Sequence, residues 1–349
     1  MKKRFAKKIT AVLTAAVIVC GMAINASAAG HKEYLKPAKE FAECPEDRYI
    51  LGNDRYDTAV LTALEGSSKI YGAKYNTVVL VSGQDYPDAL SASLIANREK
   101  CPIIYADSTD SEKALDFVRK RTTAKSKVYI VGGTSAVPVS IEKQLKSESH
   151  SVTRLFGTNR YATNLAVLNY DFTQNASIYN QNQTIYVCSG TNYPDALVAS
   201  AGRKAILLVS NELSKEQMSA LKGKNVNAVI VGGPGAVSSK VEKQLTQTVK
   251  NVSRIAGETR YETSAKFAQK YFPNAEKWVV VDGNSFPDAL CGTYLAAGWC
   301  YPIILASKSS MTVNTSSNGA YSSLSTPAAH FYIGRIVNTI KSIHKYYYD

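Results

Sequence analysis

The chain lacks the residue patterns that most hydrolytic and redox enzymes need. Its four histidines recur in no shared motif, and no HExxH, CxxC or nucleophile-elbow pattern occurs. Zinc-dependent cleavage would find no recognisable ligands here. We therefore expect no catalytic residue, no metal ion and no cofactor. A glycoside hydrolase needs only two carboxylates, so the composition leaves that class of enzyme open.

Cysteines are few, and their spacing is not that of a disulfide framework. Cys101, Cys188 and Cys291 lie in or beside apolar runs, where a free thiol behaves as a small buried hydrophobic group. Long apolar runs are also absent beyond residue 28, because no later segment approaches the roughly 20 apolar residues of a transmembrane helix. Nothing in the sequence therefore calls for disulfides or for a membrane-spanning fold.

Residues 1–28 have the three parts of a secretory signal peptide. A basic start precedes an apolar stretch from Ile9 to Val19, and residues 26–28 (Ala-Ser-Ala) form a small-residue cleavage signal. We predict that this leader is removed and that residues 29–47 form a short N-terminal segment of an exported protein. Lipid attachment at Cys20 is the alternative, although the preceding valine is a poor neighbour for such a site.

The charge of the exported chain is positive. Of the 41 lysines and arginines, five lie in the leader, so 36 basic residues remain against 28 acidic ones, a net charge of +8. A basic exported protein meets wall polymers, lipid head groups and acidic glycans before it meets nucleic acid, so we expect an anionic surface as partner and no nucleic acid. On charge alone, a merely soluble basic surface explains the excess equally well.

Three copies of one unit follow each other with a period of about 100 residues. The pattern G-x-x-R-Y-x-T occurs three times, and so does a segment that ends in Tyr/Phe-Pro-Asp-Ala-Leu. We predict repeats at residues 48–153, 154–253 and 254–349. The first pattern begins at Gly52, Gly157 and Gly257, and the second segment ends at Leu90, Leu197 and Leu290.

Within each copy, helical patterns alternate with short apolar runs. Continuous apolar runs suit strands that are buried on both faces, and a proline favours the first turn of the helix that follows. Such alternation predicts an α/β fold of parallel strands joined by right-handed crossovers. No linker separates the copies, so we expect three Rossmann-like (flavodoxin-like) parallel-sheet repeats in a compact pseudo-threefold module. In the first copy the predicted strands are Thr77–Val81, Ile103–Tyr105, Val128–Val131 and Val152–Phe156.

The repeated polar residues fall at the carboxyl ends of these strands, where ligands of such sheets bind. Arg55, Arg160 and Arg260 offer guanidinium forks that suit polymer phosphate, and pairing with the repeated aspartates is an equal alternative. Those aspartates fall in the first turn of a helix, where the helix dipole favours a carboxylate by ~0.3–1 kcal/mol without any ligand. They are Asp88, Asp195 and Asp288, and with the arginines they are candidates for polymer binding.

Glycine turns follow at residues 131–133 and 231–233, both Val-Gly-Gly. Backbone N–H groups at such a turn can bind an anion, but these turns match neither G-x-G-x-x-G nor the P-loop, so nucleotide binding is not expected. The third copy differs, with Arg335 in place of the second glycine. Its segment 309–325, rich in Ser, Thr and Asn, replaces a charged helix, so this repeat is partly degenerate.

Taken together and in order, these motifs resemble the cell-wall-binding repeat type 2 (CWB2) family of Gram-positive bacteria, especially clostridial surface proteins. The resemblance covers nearly the whole chain from about Arg48 onward. It implies a trimer-like set of Rossmann-like repeats that anchors proteins to a teichoic-acid-like anionic polymer at the surface layer. The family's Ile-Leu-Leu segment, linked to polymer binding, is best matched by Ile206, Leu207 and Leu208, although such side chains also suit a buried strand.

The sequence thus predicts a secreted, non-catalytic protein of the cell wall or cell surface, bound to an anionic wall polysaccharide. Three repeated surfaces would gain affinity through multivalency. Other surface-layer proteins are a second class of candidate partner. Two alternatives remain, a peptidoglycan hydrolase (amidase) or its modifier, and an adhesin or surface-layer structural protein.

Overall fold

The structure is a computed structural model that describes residues 47–66, 74–307 and 329–341, all within the unit Leu35–Asp349. The predicted signal peptide, residues 29–46 and the Ser/Thr-rich segment 309–325 lie outside the described residues. In the described part of the chain, no helix has both the length and the apolar character needed to cross a membrane.

Helices and strands alternate in the order that the sequence predicts. Strand β1 (Arg48–Ile50) comes first. The first repeat continues with α1 (Arg55–Gly66), β2 (Tyr75–Val81), α2 (Pro87–Glu99), β3 (Ile103–Tyr105), α3 (Glu112–Arg121), β4 (Thr122–Val131), α4 (Val139–Ser147) and β5 (Ser151–Leu155).

The second and third repeats follow the same plan. The second has α5 (Arg160–Gln174), α6 (Ala176–Tyr179), β6 (Gln183–Ser189), α7 (Pro194–Ser200), β7 (Ala205–Val209), α8 (Lys215–Leu221), β8 (Val226–Val231), α9 (Ser239–Thr246) and β9 (Val252–Ile255). The third has α10 (Arg260–Tyr271), β10 (Lys277–Asp282), α11 (Phe286–Trp299), β11 (Ile303–Ala306) and β12 (Ala329–Ile333), and residues 336–341 are helical.

These strands form three parallel four-stranded sheets, one for each repeat. Their orders are β3-β2-β4-β5, β7-β6-β8-β9 and β11-β10-β12-β1. Residues 78–81 of β2 are fully buried, as expected for a strand covered by helices on both faces. In each sheet the strand order reverses between the first and third strands of the repeat, which is where flavodoxin-like sheets bind ligands.

The last strand of each sheet comes from the chain just before a G-x-x-R-Y motif. Strands β5 and β9 complete the first and second sheets, and each leads directly into the following repeat. The third sheet is completed by β1, which pairs in parallel with β12, so that Ile50 lies opposite Ile333. The first strand of the described chain therefore closes the ring of repeats.

Three aromatic rings meet where the repeats converge. Tyr86, Tyr193 and Phe286 precede the proline of the Pro-Asp motif in successive repeats, and their ring centroids lie 5.6 to 6.0 Å apart. Such edge-to-face and tilted contacts are favourable for aromatic rings. Helices α2, α7 and α11 pack against one another behind these rings. The predicted α/β fold with pseudo-threefold packing is thereby confirmed.

Cys101, Cys188 and Cys291 are buried free thiols, in agreement with their place in apolar runs. Burial raises the pKa of each of these three thiols. They are therefore held as neutral packing groups rather than as reactive thiolates.

Candidate functional site

The G-x-x-R-Y-x-T motif folds into the same turn in all three repeats. The glycine N–H donates to the threonine hydroxyl six residues later, over 3.0 to 3.1 Å. A Cβ on Gly157 would lie 2.4 Å from the Cβ of Ala162, so the close approach requires glycine. The residue before the arginine caps the following helix, as Asn159 does by accepting from two backbone N–H groups. The motif thus fixes an arginine as the first residue of α1, α5 and α10.

Each of these arginines bridges two repeats. Arg160 Nη1 donates to the carbonyl of Gly190 in its own repeat, at 2.8 Å. Its guanidinium carbon lies 5.5 Å from the ring centre of Tyr86 in the first repeat, within cation–π range. The same arrangement joins Arg260 to Gly283 and Tyr193, and Arg55 to Gly83 and Phe286.

The repeated aspartates lie in the first turns of α2, α7 and α11, as predicted. Each packs against the glycine that follows the third strand of its repeat. A Cβ on Gly132 would lie 2.7 Å from Oδ2 of Asp88, and the φ of this glycine is +126°. Glycine is therefore needed there both for its conformation and for the space that the carboxylate takes. Gly232 with Asp195 and Gly334 with Asp288 repeat the contact.

Burial raises the pKa of all three aspartates. The pKa of Asp88 is raised to about 6, by burial first and then by the charge of Asp85, and Arg160 works against this shift. The pKa of Asp195 is also raised to about 6 by burial, against the charge of Arg260. The pKa of Asp288 is raised by burial, against its contact with Arg335 and the charge of Arg55. The arginines therefore offset only part of the desolvation of these carboxyl groups.

The sequence leaves two roles open for the arginines, contact with polymer phosphate and pairing with the repeated aspartates. Arg160 forms its ion pair with Asp85, at 3.3 Å, rather than with Asp88. Its guanidinium remains about one-third exposed (34%). At the equivalent of Asp85 the second repeat has Asn192 and the third has Ser285. Contact of these arginines or aspartates with a polymer stays a prediction.

The Ile-Leu-Leu segment lies in the buried strand β7. Ile206, Leu207 and Leu208 are each exposed by 2% or less, so their side chains form core rather than surface. The side chain of Asn164 on α5 accepts from the N–H of Leu208 and donates to the carbonyl of Ile206, both at 2.9 Å. Because α5 begins at Arg160, Asn164 connects strand β7 to the helix that carries this arginine.

Two further arginines, which the sequence motifs did not single out, hold the glycine turns. Arg154 on β5 donates to the carbonyl of Gly132 at 2.9 Å, and Arg254 on β9 donates to that of Gly232 at 2.7 Å. Both also bind a glutamate of the preceding helix. In β1 the equivalent position is Tyr49, which stacks on Tyr332 with ring centroids 5.3 Å apart. In the sequence, these two arginines could have been found from the recurrence of arginine at the same position of two matching strands.

A cleft of about 340 Å³ lies between the third and first repeats. We call it the 3–1 cleft, and its walls include Gly52, Arg55, Asp288, Arg335 and Asn338. Two arginines and the buried Asp288 therefore line this space. Across residues 47–66, 74–307 and 329–341, no group of three or more His, Cys, Asp or Glu side chains is placed to hold a metal ion.

Curated relatives share the repeats but are longer proteins. The chain is 31% identical over 252 residues to the N-acetylmuramoyl-L-alanine amidase LytC of Bacillus subtilis (strain 168), covering 70% of this chain and 47% of the relative. It is 29% identical over 259 residues to the amidase enhancer of the same strain, covering 72% of this chain and 33% of that one. The chain therefore spans less than half the length of these relatives.

Two solved structures from Clostridium difficile share the fold over 86% of this chain. Cwp8 is 28% identical with a TM-score of 0.70, and the match covers 51% of its chain. Cwp6 is 23% identical with a TM-score of 0.72, covers 48% of its chain, and supports the fold alone. The profile of Cell wall binding domain 2 (CWB2) matches residues 50–142, 154–242 and 254–343. Because three tandem matches cover most of its length, this chain belongs to the Cell wall binding domain 2 family.

Proposed function

We propose that this chain is a non-catalytic protein that anchors non-covalently to an anionic, teichoic-acid-like secondary polymer of a Gram-positive cell wall. Membership of the CWB2 family gives the coarser function, which is cell-wall binding. The observation that carries the finer proposal is the placement of Arg55, Arg160 and Arg260 at the three interfaces of one ring. A linear polymer with a repeating anionic group is the partner whose chemistry suits repeated cationic sites.

The charge of the chain supports an anionic partner. Without the predicted leader the net charge is +8, with 36 basic and 28 acidic residues. Many acidic side chains are already paired with basic ones, as in the cluster of Lys113 with Asp54, Asp57 and Asp110. The excess of positive charge therefore raises the local concentration of an anionic polymer around the repeats.

The buried Ile-Leu-Leu segment would act on binding indirectly. Strand β7 is bound by Asn164, and the helix that carries this residue begins at Arg160. A disturbed strand would therefore shift Arg160 against Tyr86, its ring partner across the interface. In this proposal Ile206, Leu207 and Leu208 support a contact residue and do not touch the polymer.

The amidase relatives give a second candidate, a wall hydrolase or its modifier. In the described residues Asp288 is buried, Asp88 and Asp195 are half-buried, and all three carboxyl groups are pressed against glycine turns. That arrangement serves the packing of the interface. We therefore assign these carboxyl groups a structural role. Hydrolysis of peptidoglycan is one of the outcomes that the wall-binding test below distinguishes.

The test is cosedimentation of the chain from Ala29 onward with purified walls, before and after extraction of their anionic polymer. Anchoring predicts binding to intact walls and loss of binding to stripped walls. Equal retention on stripped walls would exclude the polymer as receptor and favour a peptidoglycan ligand. Release of soluble fragments from purified peptidoglycan, abolished by Asp88→Asn, would support the hydrolase instead.

A further inference from the structure

The three interfaces of the ring differ in charge at equivalent positions. Where the first and second repeats meet, Arg160 is opposed by two carboxyl groups, those of Asp85 and Asp88. Where the second and third meet, Arg260 is opposed by Asp195, and Asn192 replaces the second acid. At the positions of Asp85 and Asp88, the second interface therefore has one acidic residue where the first has two.

The 3–1 cleft differs from both in having a second arginine. Here Arg55 is joined by Arg335, Ser285 replaces the outer acid, and Asp288 keeps the inner one. Asp282, which stands where the other repeats have Ser82 and Ser189, adds a carboxylate whose charge acts on Asp288. Asp54 also lines the cleft, but it is bound by Lys113 at 2.6 Å. The repeat that looks degenerate in sequence thus supplies a second arginine to its interface.

Arg335 is held in this cleft by its backbone rather than by its side chain. Its N–H donates to Oδ2 of Asp288 at 3.1 Å, while its side chain is exposed. The preceding Gly334 takes the same place as Gly132 and Gly232, with a positive φ of +75°. The turn is therefore preserved, and the arginine adds a cationic group at a position where the other repeats have glycine.

We propose that the 3–1 cleft is the principal subsite for one anionic group of the wall polymer, a phosphodiester or a uronate carboxylate, which Arg335 and Arg55 bind together. Two guanidinium groups beside one cleft of about 340 Å³ offer several charge-assisted donors to such a group. This inference rests on the proposed function and names the interface that would contribute most to it. The other two interfaces, each with a single arginine at these positions, would then bind the polymer more weakly.

The test compares Arg335→Gly, which restores the residue of the other repeats, with Lys250→Gly. Lys250 is an exposed loop residue whose N–H binds Val226 at the start of β8, so it lies at the amino end of a sheet, away from the clefts. Both variants lose one positive charge. The probes are poly(glycerol phosphate) and polygalacturonate, measured by calorimetry, so that the phosphate and carboxylate ligands are distinguished.

Arg335→Gly is expected to weaken binding of at least one probe roughly tenfold, as for loss of a charge-assisted contact, and Lys250→Gly to weaken it less than twofold. Equal effects of the two variants would overturn the subsite while leaving the proposed function intact. Absence of any binding by the unsubstituted chain, to either probe or to intact walls, would instead refute the proposed function.

A gain of binding provides the reciprocal test. Gly233 is the equivalent of Arg335 in the second repeat, and a Cβ placed on it meets nothing within 4 Å. Gly233→Arg therefore fits without strain and creates a second interface with two arginines. We expect it to raise the number of bound anionic groups, or to restore at least half of the affinity lost in Arg335→Gly. An unchanged affinity in both backgrounds would contradict the proposal.

Discussion

The backbone N–H of Gly334 donates a hydrogen bond of 2.8 Å to the carbonyl of Ile50. The same bond joins Gly132 to Leu155 and Gly232 to Ile255, at 2.9 Å each. In those two repeats the partners lie about 23 residues apart, whereas in the third they come from opposite ends of the described chain. The ring is therefore closed by a contact between its first strand and its last.

We predict that this closure depends on Asp47, just before β1. Its Oδ1 accepts from the backbone N–H of His330 at 2.8 Å and lies 3.0 Å from the ring Nδ1, and both residues are buried. Asp47→Ala should lower the free energy of unfolding by about 2–3 kcal/mol, because two buried hydrogen bonds are lost. Urea unfolding measures this, with the exposed Arg48→Ala as control. Equal stabilities of the two variants would show that the first strand contributes little.

The second prediction concerns the turn at Gly132. Gly132→Ala should destabilise the chain by about 1–3 kcal/mol, because alanine is strained at a φ of +126° and its Cβ would press on Asp88. The matched control is Gly133→Ala, whose Cβ would meet its nearest neighbour, Phe156, only at 4.0 Å. Thermal unfolding, monitored by circular dichroism, measures the stability of both variants. A control as unstable as Gly132→Ala would argue against the glycine–aspartate contact.

The repeats, their strands and the alternation of helices could be predicted from the sequence because these features are local. Strand β3 has the predicted bounds of Ile103 and Tyr105, and β5 (Ser151–Leu155) lies one residue before the predicted Val152–Phe156. The place of β1 could not be predicted, since its pairing with β12 is a contact of high sequence separation. The motif order gives no sign that the strand at the start of the first repeat belongs to the third sheet.

The candidate site was only partly predictable for a similar reason. The sequence indicates the repeated arginines and aspartates, but the contact of Arg160 with Tyr86 crosses from one repeat to another. The contact of Asp88 with Gly132 joins two strand ends of one sheet. The aromatic residue before each Pro-Asp was the visible signal, because a large ring in an otherwise polar loop needs a packing partner.

The third prediction follows from the pKa of Asp88, which burial and the charge of Asp85 raise to about 6. A raised carboxyl pKa means that the folded chain binds the proton more tightly than the unfolded chain, where the value is near 3.9. The stability that comes from neutral Asp88 is therefore complete below about pH 4 and lost as the pH rises through about 6.

Asp88→Asn keeps the neutral form at every pH. We expect this variant to exceed the unsubstituted chain in stability by about 1–2 kcal/mol at about pH 7.5, and to match it near pH 4. Urea unfolding at the two pH values measures the difference, with Asp116→Asn, an exposed carboxylate, as control. A variant that is less stable at both pH values would mean that the charged carboxylate stabilises the interface.

The fourth prediction links strand β7 to the interface. Asn164→Ala removes both hydrogen bonds to Ile206 and Leu208, so it should cost about 2 kcal/mol of stability and weaken wall binding through Arg160. Asn164→Ser should retain part of both, because Ser264 binds the equivalent strand β11 in the third repeat. Wall cosedimentation and urea unfolding are the measurements. If a folded but destabilised Asn164→Ala variant still bound walls fully, strand β7 would have no influence on the binding site.

The most direct test of the account is the affinity of the chain from Ala29 onward for a purified anionic wall polymer, measured by calorimetry at about 0.05 M and about 0.5 M NaCl. Recognition of repeated anionic groups predicts saturable binding that weakens roughly tenfold or more at the higher salt, where charges are screened. The same polymer with its anionic groups removed should not bind. Binding of the neutral polymer with unchanged affinity, at either salt concentration, would contradict the central claim.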